Sequence, residues 1–268
     1  MIIGIAGLSH LGLVTAAGLS EKGFQIIAWD PNPINIDDLI EGTTRISEPQ
    51  LIKLLSKNTS NIKFVRNCSE LEHANLVYVA ADTPTNNTNS PDLLVVSEII
   101  EEVIKYIGKG AVLTILSQVP PGFTASINFP SSRLFYQVET LVLGEAISRF
   151  LNPERFIIGC DNPKKETHPI LAEVLEKFDC PVLNMGYKSA ELAKIAINGI
   201  LTSQVSTANM LSALCETIGA NWSEIVPALQ LDKRIGRKAY LKPGLGLAGG
   251  NLERDLSVLD NLTTQHKI

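Results

Sequence analysis

The chain has 268 residues, of which 45% are hydrophobic and 19% charged, with a formal net charge of −5. This leaves room for one large or two smaller domains with a sizeable core, and the acidic balance provides no basic footprint for nucleic acid. Four cysteines (Cys68, Cys160, Cys180 and Cys215) stand far apart without CxxC spacing and the four histidines are scattered, which predicts reduced thiols, a cytoplasmic location and no metal site.

The opening run MIIGIAGL is apolar but broken by glycines and followed by Ser9 and His10. It is too short and interrupted for a membrane span or signal and reads as a buried strand, Ile2 to Ala6. Gly7-Leu8-Ser9-His10-Leu11-Gly12 then predicts a turn into a helix, and Phe24 to Asp30 a second strand ending in an acid. Such a βαβ unit suits a dinucleotide. A tight turn of little bulk lets the backbone of Gly7, Ser9, His10, Leu11 and Gly12 approach a pyrophosphate, while an acid about 20 residues on accepts ribose hydroxyls. Asp30 therefore favours NAD over NADP. Ser9 takes the middle position of G-x-G-x-x-G, where its Cβ crowds the phosphate but its hydroxyl can donate to it. The alternative is a turn that binds nothing.

Strands are expected at Asn61–Val65, Leu76–Ala80, Ala111–Ile115 and Arg133–Tyr136, with a helix over Leu93–Tyr106. In a parallel sheet their following loops line up at one edge, so Ala81-Asp82-Thr83-Pro84-Thr85 and Ser117-Gln118-Val119-Pro120-Pro121-Gly122 should meet cofactor and substrate, with Ala81, Thr83, Ser117 and Gln118 on the cofactor. Both are also common turn punctuation. Glu139, in the apolar run that follows, is either a site carboxylate or a solvated strand residue. A last βαβ-like piece spans Arg155–Gly159, Pro169–Phe178 and Pro181–Asn184.

From Lys188 to Ile218 there is no proline and the apolar spacing is helical, which starts a second, all-helical region. The fold class expected is α/β: a Rossmann-like, doubly wound, mostly parallel sheet over 1–186, followed by a helical central or dimerisation domain over 187–268. Lys194 and Asn198 lie four apart on the long helix and share a face, where an ammonium and a carboxamide together can stabilise an alkoxide becoming a carbonyl. A lone Lys and Asn at this spacing are also common on surface helices. The apolar helix predicts a homodimer. A short helix after Asn221-Trp222-Ser223 is followed by Leu231-Asp232-Lys233-Arg234-Ile235-Gly236.

The stretch Pro243-Gly-Leu-Gly-Leu-Ala-Gly-Gly-Asn251-Leu-Glu-Arg254-Asp255 resembles the PG-x-G-x-GGSCFPKD loop of the UDP-glucose/GDP-mannose dehydrogenase family. Asn251 stands where the family has its cysteine, Gly250 where it has serine, and Arg254-Asp255 where it has Lys-Asp. The order of the other motifs resembles the same family. The two sheet-edge loops are similar to its G-TPT and STVPPGT loops, with Gln118 in place of the threonine. The Tyr136–Gly159 stretch is similar to NPEFLREGxA…F-x-NPxRIVIG, with Glu139 at the catalytic glutamate and Gly144 and Arg155 matching. Gln137-Val138 and Val142-Leu143 replace polar pairs, which predicts a more apolar pocket. Ala190 to Asn198 resembles the family's Lys/Asn helix, and the segment around Arg234 its DPRIG, whose arginine reaches the partner subunit's sugar site.

The resemblance implies an NAD-dependent oxidoreductase acting on a CH–OH group, with a small-molecule substrate among which a nucleotide sugar is a candidate. Lys194, Asn198, Asp255 and Glu139 are the catalytic set, Arg254 joins the cofactor residues, and Arg234, Gly249 and Asn251 join Glu139, Lys194 and Asn198 around the substrate. Family members remove two hydrides, the second through a cysteine thiohemiacetal. An amide at Asn251 cannot form it, so a two-electron oxidation to aldehyde or ketone is expected. The chain ends at Ile268, and the family's third, nucleotide-gripping domain is expected to be absent. The competing expectation is a non-catalytic homologue that binds NAD or a nucleotide sugar as partner of a complete enzyme.

Overall fold

The computed structural model describes residues 1–84, 91–244 and 250–268, with the backbone alone at 250 and 251. It divides into two compact units, the first covering Met1–Pro84 and Pro91–Lys194 and the second running from Ile195 to Ile268.

The first unit opens with β1 (Ile2–Ala6), α1 (His10–Glu21), β2 (Gln25–Trp29), α2 (Pro33–Ile40), α3 (Leu51–Lys57) and β3 (Ile62–Val65). It continues through β4 (Leu76–Val79), α4 (Leu94–Tyr106), β5 (Val112–Ile115), the single turn α5 (Phe123–Ser126), β6 (Leu134–Gln137) and α6 (Ala146–Leu151). β7 (Phe156–Cys160), α7 (Pro169–Leu175) and β8 (Val182–Gly186) complete the sheet, and α8 (Tyr187–Ile218) begins directly after it. Each predicted strand is present, with ends that differ by a residue or two.

The eight strands lie in the order β3-β2-β1-β4-β5-β6-β7-β8. All neighbours are parallel except β6 and β7, which run antiparallel with Tyr136 opposite Gly159. The chain starts at β1 and winds outward in both directions, so the β1/β4 junction is the switch point where an open sheet of this kind forms its ligand crevice. The central strands read as unbroken apolar runs because both faces are covered: β4, β5 and β6 are buried at every residue. Against one face packs α1, buried from Leu11 through Ser20. Gly18 lets α6 come close, since a Cβ there would sit 2.1 Å from the Phe150 ring.

After the antiparallel step, α8 starts from the edge where β6 begins. The Tyr187 hydroxyl donates to Leu134 O at 2.8 Å, and Ala190 packs on Gly159, whose missing Cβ would stand 2.9 Å from it.

The second unit holds the rest of α8 with α9 (Trp222–Leu231) and α10 (Gly250–His266). Asn221 caps α9 by accepting from Ser223 N at 3.0 Å. A small core forms around Ala208, Cys215 and Trp222, whose indole N–H donates to Leu241 O at 2.9 Å. Among the described residues no helix is long and apolar enough to cross a membrane.

Candidate active site

The turn after β1 has the tight geometry that its glycines predict. Gly7 sits at φ +92°, where a Cβ would meet Ala81 N at 2.8 Å, and a Cβ on Gly12 would fall 1.9 Å from Gly7 O. Ser9, at φ −65°, is in extended backbone that any residue adopts, so its conformation does not call for glycine. Its hydroxyl donates to Ala80 O and accepts from Asp82 N, both at 3.0 Å. The hydroxyl expected to face a phosphate thus laces the turn to the loop after β4. Ser9 makes no side-chain cap bond, and the first intrahelical bond is Leu13 N to Ser9 O at 3.0 Å. The N–H groups of His10, Leu11 and Gly12 precede it, as donors that an anion can use.

Asp30 is buried just past β2. Oδ2 accepts from Leu8 N at 2.6 Å, while Oδ1 accepts from Asn32 N at 2.9 Å and Asn35 Nδ2 at 3.1 Å. The acid therefore fastens the β1 turn to the end of β2.

The loops after β4 and β5 are tied to each other in the same way. The Thr83 hydroxyl donates to Gln118 O at 2.8 Å and that of Ser117, fully buried, to Ala81 O at 2.7 Å. Of these sheet-edge residues, Ser9, Thr83 and Ser117 all spend hydroxyl protons on neighbouring loops. Thr83→Val is expected to cost about 1–2 kcal/mol, because Gln118 O loses a buried donor; an unchanged urea midpoint would show that the tie contributes nothing.

Two buried acids that the sequence reading passed over hold these loops in place. Glu191 on α8 accepts from Gly122 N at 2.5 Å and Thr124 N at 2.8 Å, fixing the Pro-Pro-Gly turn and the start of α5. Glu48 accepts from His10 Nε2 at 2.9 Å, Gly144 N at 3.0 Å and Ala146 N at 2.9 Å. Burial pushes the Glu48 carboxyl up, but those three hydrogen bonds outweigh it and hold the group below the ordinary glutamate value.

Glu139 lies past the end of β6 in a loop, and so is not a strand residue. Its Oε1 stands 2.8 Å from Lys194 Nζ and its Oε2 accepts from Leu141 N at 2.8 Å. Both partners are largely shielded, at 11% exposure for the lysine side chain and 16% for the glutamate. The replacements nearby separate: Gln137 and Val138 are buried, whereas Val142 and Leu143 are exposed.

In the second unit, Asn198 Nδ2 donates to Asp255 Oδ2 in a short bond, and Asp255 Oδ1 is 3.6 Å from Arg254 Nε. Arg254 and Asp255 are both buried. Arg234 is solvent-exposed and paired locally, with Nε and Nη2 on the two Asp232 oxygens. Gly249 lies outside the described residues, as does the side chain of Asn251. Among the described residues no group of three or more His, Cys, Asp and Glu side chains could hold a metal ion.

Residues 1–179 match the NAD-binding domain of the UDP-glucose/GDP-mannose dehydrogenase family and residues 188–268 match its central domain. The chain belongs to this family.

Among curated family members, UDP-glucose 6-dehydrogenase of Rickettsia felis is 28% identical over 100% of this chain and 62% of its own length. UDP-glucose 6-dehydrogenase TuaD of Bacillus subtilis is 30% identical over 96% of this chain and 58% of its own. The UDP-glucose dehydrogenase structure from the archaeon Pyrobaculum islandicum superimposes on 100% of this chain and 65% of that one, with a TM-score of 0.90 at 27% identity. The chain thus spans less than two thirds of the length of these relatives. Within the family frame, Glu191 carried one legible signal: it interrupts the apolar run Ala190–Ile197 three residues before Lys194, on the side of α8 that faces the sheet. Glu48 carried none of that kind, because its donors are 38 to 98 residues away in sequence.

Proposed function

We propose that this family member is an NAD-dependent oxidoreductase that takes a CH–OH group to a carbonyl in one two-electron step, on a small molecule of the nucleotide-sugar class. The observation that carries the reading is Lys194, shielded and aimed by Glu139, with Asn198 one turn further along the same helix and engaged by Asp255.

The residues present fit the cofactor. The Gly7–Gly12 turn and the leading N–H groups of α1 suit a pyrophosphate. Asp30 has three of roughly four acceptor positions filled, leaving one for a ribose hydroxyl and none that would welcome a phosphate in its place. When bound, NAD supplies the hydride acceptor. The chain's own part is to bind and polarise the alcohol: the Lys194 ammonium and the Asn198 amide stabilise the oxygen as charge gathers on it, and Asp255, directly or through a water, takes the hydroxyl proton. Glu139 fixes where the ammonium points. A carboxamide at Asn251 is no nucleophile at neutral pH, so the second oxidation has no thioester route.

The expected result is one NADH released per substrate consumed, with an aldehyde or ketone as product. Two NADH and a carboxylate would contradict the reading. NAD binding in a calorimeter without turnover on any nucleotide sugar or simpler alcohol would instead favour a binding homologue that partners a complete enzyme. The exposed apolar residues of α8, Ile200, Met210, Leu214 and Ile218, support a homodimer as the working form.

A further inference from the structure

The loop that aims Lys194 is fastened to the α1 turn at one point. Between the end of β6 and the start of α6 the chain folds back on itself. Glu139 Oε2 accepts from Leu141 N at 2.8 Å, Val142 O from Glu145 N at 3.0 Å, and Thr140 O from Arg149 Nε at 3.0 Å. A loop laced in this way is stiff, so whatever holds one end sets the place of the other. The far end is held by Glu48, whose two oxygens take Gly144 N, Ala146 N and His10 Nε2 and whose side chain has no exposed surface. Glu48 is fixed in turn, because its carbonyl accepts from Leu51 N at 3.2 Å and Leu51 is fully buried in the core. The near end presents Glu139 Oε1 to Lys194 Nζ at 2.8 Å.

We propose that Glu48 is a positioning residue for Lys194: it acts through the Glu139 loop and, by way of His10, keeps the ammonium in register with the α1 turn. That register matters to catalysis only on the reading that Lys194 meets the developing oxyanion, whereas the placement itself does not depend on turnover. Three donors converge on Glu48, and a carboxylate, an acceptor at both oxygens, satisfies them all. A glutamine has one acceptor oxygen, and its amide would turn N–H groups against those of the loop. Glu48→Gln should therefore release the loop, draw Glu139 away and leave the lysine uncovered. Glu48→Asp keeps the charge but is one methylene shorter and cannot reach all three donors, so it should do the same to a lesser degree.

The test is trace acetylation of the full chain with acetic anhydride at neutral pH, without cofactor or substrate, each lysine being read by mass spectrometry. The exposed Lys164 and Lys165 serve as internal references. Relative to them, Lys194 should label about fivefold faster in Glu48→Gln than in wild type, with Glu48→Asp in between. Glu48→Asp also carries the test should Glu48→Gln fail to fold. In a Glu139→Ala background, where the path is already cut, Glu48→Gln should add nothing further. Labelling of Lys194 at the wild-type rate in either folded Glu48 variant would overturn the inference; so would an undiminished increase in the Glu139→Ala background. If labelling responds as expected while Lys194→Met keeps its turnover, the catalytic reading falls and the placement by Glu48 stands.

Discussion

Lys194→Met is expected to lower kcat by about 10²- to 10³-fold while leaving NAD+ affinity within about twofold. The ammonium is the charge proposed to meet the developing oxyanion, and methionine keeps the length and shape of the side chain without it. A second consequence is thermodynamic. Lys194 and Glu139 stand 2.8 Å apart and shielded, so removing the cation strands a partly buried carboxylate, at a cost of about 2–3 kcal/mol. Pairing Lys194→Met with Glu139→Gln should recover most of that stability and none of the turnover. Steady-state NADH formation and urea unfolding on the same three proteins separate the two effects; a kcat within about threefold of wild type in Lys194→Met would remove the lysine from the chemistry.

The second large effect is expected at Glu48. Glu48→Ala withdraws the acceptor shared by His10, Gly144 N and Ala146 N and leaves buried N–H groups without a partner, which should cost about 3–4 kcal/mol. The folded-state pKa of Glu48 is depressed, so its charged form is the stabilising one. That contribution is complete above the ordinary glutamate range and is lost as pH falls through the lower folded value. The gap between wild type and Glu48→Ala in urea midpoint should therefore be widest near neutral pH and narrow below about pH 4. A gap independent of pH would mean that the carboxylate's charge is not what holds the α6 approach in place.

The sheet was legible because period and punctuation agree: buried central strands read as short apolar runs, and glycine or proline marks their ends. The long helix was legible for the same reason, and its observed start at Tyr187 is one residue from the expected Lys188. Asp30, Lys194 and Asn198 stood out because each carries chemistry in a recognisable spacing, and the structure places Asp30 buried past β2, Lys194 beside Glu139 and Asn198 beside Asp255. Ser9, Thr83 and Ser117 illustrate the limit. A hydroxyl at a sheet edge reads as a ligand contact, yet each of these three donates to a carbonyl on an adjacent loop, and the number of residues separating those loops says nothing about it. Glu48 lay beyond reach for a related reason: a buried carboxylate that accepts backbone N–H groups from remote turns leaves no local pattern, whereas Glu191 at least stood out as an acid within an apolar run. Glu139 was left between two readings, and the end of β6 at Gln137 decided that it is a loop residue.

The single antiparallel step in the sheet sets the course of the helix that carries the lysine. Because β7 and β8 run against the other six strands, α8 sets out from the rear rim, where Tyr187 touches Leu134 O, and travels forward under the sheet. Seven residues on, about 10 Å of helix has delivered Lys194 to the front rim beside Glu139, with Glu191 moored to the Pro-Pro-Gly turn on the way. With all eight strands aligned, the same helix would leave the front rim at its first turn and carry Lys194 away from it. The reach of the ammonium is thus a fixed rod length measured from the back of the domain.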